Sequence, residues 1–148
     1  MLKRYIPNAI EGIEATNQTI EGHTRKAVRL HSLAHNCALQ LKEKIDKGDL
    51  TRFGTTFEYS KVYMGKTIGG EYVTIEEYID CEFVKYINNN VNLCQKGNEI
   101  SDKAECFAQF TYEKSEGKVI VLDIQGAKYS LYDPETASSE LLSGDGII

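Results

Sequence analysis

Apolar and polar residues alternate between two periods along this chain. From Thr24 to Lys47, Ala27, Leu30, Leu33, Ala34, Cys37, Leu41 and Ile45 recur at steps of three and four. That spacing predicts one long amphipathic helix, opened by Thr24 and closed by Gly48. From Thr55 to Met64 the period drops to two, with Phe57, Tyr59 and Tyr63 on one face. It stays at two from Tyr72 to Ile79, with Val73, Ile75, Glu77 and Ile79 on one side. The turn-rich segment 65–70 between these runs predicts an antiparallel hairpin. Ser101 is placed to open a second helix reaching about Lys114, with Ala104, Phe107, Ala108 and Phe110 inward. Past Ser115-Glu116-Gly117 the chain enters an apolar strand, Val119 to Leu122, which stops on Asp123-Ile124-Gln125-Gly126. A second short strand stops on Asp133-Pro134. Leu2, Tyr5 and Ile6 suit the end of a strand closed by Pro7, positions 9–23 read as irregular linker, and the chain beyond Pro134 is weakly patterned.

The order helix, hairpin, helix, hairpin predicts an α+β fold with an antiparallel sheet and a long helix. The chain of 148 residues with 41% hydrophobic content suits one domain with its own core. The net charge of −5 and pI near 5.2 argue against a nucleic-acid partner, and no Lys/Arg cluster supplies one. No apolar run reaches the length of a membrane span, and the N-terminus has no signal-peptide pattern, so the expected location is cytoplasmic. None of the four cysteines forms a CxxC pair, and in a reducing compartment they are expected to be small apolar fillers. Neither the Rossmann nor the Walker glycine pattern occurs.

Three groups of residues carry candidate chemistry. Asp123, Gln125 and Asp133 bring two carboxylates and an amide oxygen to strand ends, a donor set suited to Mg²⁺ and phosphate. The same residues are also ordinary turn formers, and spacing alone favours that plainer explanation. Glu76 and Glu77 are adjacent in a strand, so one of them faces inward and needs a partner such as a lysine. A charged edge strand explains the pair equally well. His31 and His35 lie one turn apart on the long helix. No third ligand accompanies them, so the pattern favours two histidines flanking an amphipathic face over a metal pair.

The segments FAQFTYEKSEGKVIVLDIQG (107–126) and SLYDPE (130–135) resemble the alpha-kinase family of atypical protein kinases. YVTIEEYIDCEFVKYINNN (72–90) is similar to the family's hinge and asparagine-rich loop. AVRLHSLAHNCALQL (27–41) is similar to its long helix, and LKRYI (2–6) to its nucleotide-binding lysine strand. The resemblance runs in the same order over nearly the whole chain. It implies an incomplete alpha-type kinase domain over 1–148 that phosphorylates Ser or Thr of a protein substrate with ATP and Mg²⁺. Lys3 is then expected at the α/β phosphates, and Glu76, Glu77 and Ile79 at the adenine, with Glu76 orienting Lys3. Gln125 and Asp133 are expected to bind Mg²⁺, Asp133 also positioning the substrate hydroxyl, with Asp123 by the γ-phosphate region. Such catalysis rests on positioning and charge neutralisation.

Departures accompany the likeness. Gln109 stands where the family has a zinc-binding histidine, and the C-terminal His/Cys cluster is missing, so no zinc is expected. Ala27 replaces an acidic residue of the long helix, and Ile147 an asparagine past the site. The strands that precede the lysine strand in the family are not present, which predicts an exposed sheet edge and association through it. The alternatives are a catalytically dead relative serving as a binding module, or an unrelated α+β domain whose aspartates only form turns.

Overall fold

The structure is a computed structural model and describes residues 1–48 and 50–138. In chain order it has β1 (Leu2–Arg4), α1 (Pro7–Ala15), α2 (Ile20–Asp46), β2 (Glu58–Tyr59), β3 (Val62–Lys66), β4 (Tyr72–Glu76), β5 (Val84–Lys85), α3 (Glu99–Lys114), β6 (Val119–Leu122), β7 (Gln125–Ala127), β8 (Ser130–Leu131) and β9 (Glu135–Ser138). The α+β class holds. Among the described residues three sheets form, ordered β1-β4-β3, β2-β8-β7-β5 and β6-β9. Their pairings are antiparallel except β2 with β8, which is parallel.

Several expected boundaries move, each for a local reason. The 9–23 segment is largely helical. Pro7 sits in the first turn of α1, a position with no hydrogen bond for it to break, and Ile13 buries the inner face. Asn17, at φ 58°, turns the chain between α1 and α2. The cap of α2 is Thr19, whose Oγ1 accepts from Gly22 N at 3.0 Å. Thr24 instead lies one turn inside, buried, donating to Ile20 O and touching the Tyr5 hydroxyl. The buried stripe of α2 is Thr24, His31, Ala34, Ala38 and Leu41, whereas Ala27 is exposed. The cap of α3 is Asn98, not Ser101, which is buried.

The expected strand 55–64 divides at Ser60-Lys61. Its first part, β2, pairs with β8, and its second part, β3, pairs with β4. The strand expected at 72–79 stops at Glu76. Glu135–Ser138, without visible pattern in the sequence, forms β9 against β6.

The main core lies between α2, α3 and the β2-β8-β7-β5 sheet. Leu41, Phe57, Tyr59, Tyr86, Phe107, Val121, Ile124 and Leu131 fill it, with Ala34, Ala38, Ala104 and Ala108 letting the helices approach. Thr111 fastens α3 to β6: its hydroxyl donates to Ala108 O at 2.7 Å and accepts from Val121 N at 3.0 Å. On the outer face of the first sheet, Leu2, Ile75 and Tyr63 sit side by side in register and remain exposed.

The β7–β8 hairpin is the tightest point. A Cβ on Gly126 would lie 2.2 Å from Ser130 O and 2.8 Å from Leu131 Cα, both backbone atoms. Gly126→Ala is expected to lower stability by about 1–3 kcal/mol or more, since the ladder must open to admit the methyl group. Gly12, inside α1, has nothing within 4 Å of its Cβ position. Gly12→Ala is expected to raise stability by about 0.5–1 kcal/mol through helix propensity. Chemical denaturation of the two variants checks both signs.

Candidate functional site

Three segments far apart in sequence meet at one ammonium group. Lys3, in the middle of β1, pairs in register with Thr74 of β4. Its Nζ forms an ion pair with Oε1 of Glu76, at the end of β4, and another with Asp133 Oδ1 at 2.7 Å. Glu76 is the inward member of the Glu76-Glu77 pair, with a side chain only 5% exposed, and the lysine it needs is Lys3. The Asp133 carboxylate is 55% exposed and faces the opening. Burial works against the charge on Lys3. The hydrogen bonds and charges of Asp133 and Glu76 more than offset it, and the amine titrates above the ordinary lysine value.

Two cavities flank this cluster. One, of about 380 Å³, runs behind Lys3 between the first sheet and α2, past Tyr5, Ala27, His31 and Thr74 to Asp133. The other, of about 200 Å³, is lined by Lys3, Glu76, Glu77, Tyr78, Ile79, Tyr132 and Asp133. Beyond β4 the chain leaves the sheet, so Glu77 and Ile79 border this second cavity from a loop.

Asp123 and Asp133 follow β6 and β8, and both adopt left-handed backbone conformations, with φ of 50° and 48°. Aspartate tolerates that region better than most residues, so turn chemistry and an acid at the rim coincide here. Gln125 is buried in β7, and its Nε2 donates to Asp133 O at 3.1 Å. The amide nitrogen is thereby engaged with the backbone, which leaves the amide oxygen as the group that could act as a ligand. An amide oxygen and a carboxylate are hard donors of the kind Mg²⁺ takes together with phosphate oxygens, so these two residues fit that ion.

Asp123 stands apart from the Lys3 cluster. Its Oδ1 pairs with Lys85 Nζ at 2.5 Å, and that contact holds the Lys85 amine above its usual value. Lys85 carried no signal in the sequence. It is a lone lysine in a two-residue strand, and only the pairing of β5 with β7, Lys85 opposite Gln125, brings it to the site. Gln109 donates to Glu113 at 2.8 Å on the exposed side of α3. Ile147 and the Gly144-Asp145-Gly146 segment lie outside the described residues.

Comparison with known proteins bears on the family and the fold. The family model described as the alpha-kinase family matches residues 1–146. The chain is 35% identical over 78 residues to Transient receptor potential cation channel subfamily M member 6 of Homo sapiens, covering 53% of this chain and 4% of that protein. It is 39% identical over 75 residues to Alpha-protein kinase vwkA of Dictyostelium discoideum, covering 48% and 12%. Among solved structures, the alpha-kinase domain of Myosin-II Heavy Chain Kinase A with a phosphorylated aspartate superposes with a TM-score of 0.68 at 19% identity, over 94% of this chain and 50% of that one. The same domain in complex with AMP-PNP gives 0.60 at 19% identity, with the same coverage. The chain thus spans a small fraction of these curated relatives and about half of the solved domain. With a family model matched across nearly its full length and a fold that superposes on that domain, the chain belongs to the alpha-kinase family.

Proposed function

We propose that this chain carries the nucleotide and metal site of a protein kinase that transfers the γ-phosphoryl group of ATP to Ser or Thr of a protein. The observation that carries this reading is the Lys3 ammonium held between Glu76 and Asp133 at the mouth of two cavities. Membership of the alpha-kinase family, and the AMP-PNP and ADP complexes of Myosin Heavy Chain Kinase A, support it.

The division of labour follows from the charges. Lys3 supplies a point charge to the α/β phosphates, and Glu76 orients it from the buried side. The loop at Glu77–Ile79 borders the cavity assigned to adenine. Gln125 and Asp133 would hold Mg²⁺, which would neutralise charge on the phosphate oxygens. The exposed Asp133 carboxylate also orients the acceptor hydroxyl. Asp123 is assigned to the γ-phosphate region, and its charge is paired with that of Lys85. Such transfer rests mainly on positioning and electrostatic stabilisation.

Incubation with Mg-ATP and a basic protein is expected to label that protein on Ser or Thr. Asp133→Ala and Lys3→Met are each expected to lower transfer more than about a hundredfold. A wild-type chain that neither transfers phosphate nor gains thermal stability from Mg-ATP overturns the reading. Transfer absent but ligand stabilisation retained would identify the catalytically dead binding module.

Lys3 also has a structural task. Lys3→Met leaves the Glu76 carboxylate buried without its cation and is expected to cost about 1–3 kcal/mol at neutral pH, less than for a fully buried pair because Lys3 is partly exposed. Because the folded-state lysine titrates above its ordinary value, its contribution is complete at neutral pH. It fades only as pH rises through and beyond the ordinary lysine value of 10.5. Lys3→Met combined with Glu76→Gln is expected to recover much of the loss in a thermal melt while transfer stays abolished.

A further inference from the structure

The kinase reading leaves two groups of α2 without a task. His31 Nε2 lies 2.6 Å from the carbonyl oxygen of Ser60, and His35 Nδ1 hydrogen-bonds the carbonyl oxygen of Tyr59. A carbonyl oxygen only accepts, so each of these ring nitrogens carries the hydrogen: Nε2–H on His31, Nδ1–H on His35. His31 is 5% exposed, and burial holds its imidazole below the ordinary histidine range. Its ring meets the Tyr59 ring edge-on, with centroids 5.7 Å apart.

The two carbonyls are consecutive and mark the point where the chain leaves one sheet for the other. On one side, β2 pairs with β8, which leads within two residues into Asp133. On the other, β3 pairs with β4, which ends on Glu76 and pairs in turn with β1 and its Lys3. The link from Tyr59 to Val62 therefore connects the half of the site that holds Asp133 to the half that holds Lys3 and Glu76. One helix grips it by two side chains one turn apart, a spacing that aims both rings from the same face.

We propose that His31 and His35 are paired positioning residues. By donating to the carbonyls of Ser60 and Tyr59 they clamp the link between the two sheets to α2, and so set where Asp133 stands relative to Lys3 and Glu76. Neither ring touches nucleotide in this scheme. The consequence for turnover rests on the kinase reading, whereas the clamp itself does not.

The amide of glutamine can place a donor where His Nε2 donates, and that of asparagine where His Nδ1 donates, without titrating. The test compares the pair His31→Ala/His35→Ala with His31→Gln/His35→Asn. The alanine pair is expected to hold KM for Mg-ATP within about threefold and to lower kcat at least about tenfold, because misplacement rather than lost binding is at issue. The Gln/Asn pair is expected to keep most of the wild-type kcat. Wild-type turnover in the alanine pair, or no recovery in the Gln/Asn pair, overturns the proposal.

A second readout needs no activity. Long-range ¹H–¹⁵N spectra of the wild-type chain at alkaline pH are expected to show the Nε2–H tautomer for His31 and Nδ1–H for His35; the opposite tautomer at either ring overturns the clamp. The backbone amide signals of Lys3 and Asp133 are expected to shift in His31→Ala and in His35→Ala. They are expected to return toward their wild-type positions in His31→Gln and His35→Asn, which restore an equivalent donor. Unmoved signals in the alanine variants sink the positional effect. Should the wild-type chain transfer no phosphate, the kinase reading fails and these spectra still decide the clamp.

Discussion

The structure turns on the charge of Lys3. An ammonium group one third exposed is held by a carboxylate that is nearly buried and by another that faces solvent. The buried partner, Glu76, ends a strand of the first sheet. The exposed partner, Asp133, follows a strand of the second. A single cation thus ties two separately hydrogen-bonded sheets together across the opening. An ion pair of this kind contributes little net stability when both charges could be solvated, but Glu76 has no such option once the fold is formed. The arrangement commits the fold to keeping a cation at this place, where phosphate oxygens could be received.

Counted together, the two ammonium groups and three carboxylates of the site leave one negative charge in excess. Lys3 is shared between two carboxylates, Glu76 and Asp133, and Asp123 is paired with Lys85. On the proposed reading, Asp133 would hold Mg²⁺ and Lys3 the phosphate oxygens in place of their contact with each other. Differences between two well-paired states are smaller than the energy of either, which favours a reversible site over a tightly locked one. Glu76, out of solvent, would remain with Lys3 in both states and keep its direction fixed.

What could be read from the sequence follows from how local each signal was. Asp123 and Asp133 stood out because each ends an apolar run, and the left-handed backbone they adopt is one that aspartate accommodates. Strand alternation turns one of Glu76 and Glu77 inward toward a partner such as a lysine without saying which, and nothing local named Lys3, which lies two helices earlier in the chain. The division of 55–64 was hidden, because the aromatic alternation of Phe57, Tyr59 and Tyr63 runs through it unbroken. Tyr59 is buried in the core and Tyr63 exposed, since the two belong to different sheets. Helix α1 was masked by Gly12, and Thr24, a good cap by residue type, proved to be an interior residue satisfied by Ile20 O and Tyr5. Lys85 needed the β5–β7 register to be seen at all.

Thr111 shows how a motif residue can act at a distance without touching the chemistry. Buried in α3, its hydroxyl accepts from the Val121 amide and donates its own proton to Ala108 O. That bond fixes the register of β6 on the helix, and β6 delivers Asp123 directly past its last residue. The core residues Phe107 and Ala108 pack the same helix against Tyr59 and the second sheet. Placement of the strand-end acid is therefore inherited from the packing of α3, not from the turn that follows. A turn former without such a backing would leave its carboxylate free to wander, and the distinction between a turn aspartate and a site aspartate lies in what fixes the strand before it.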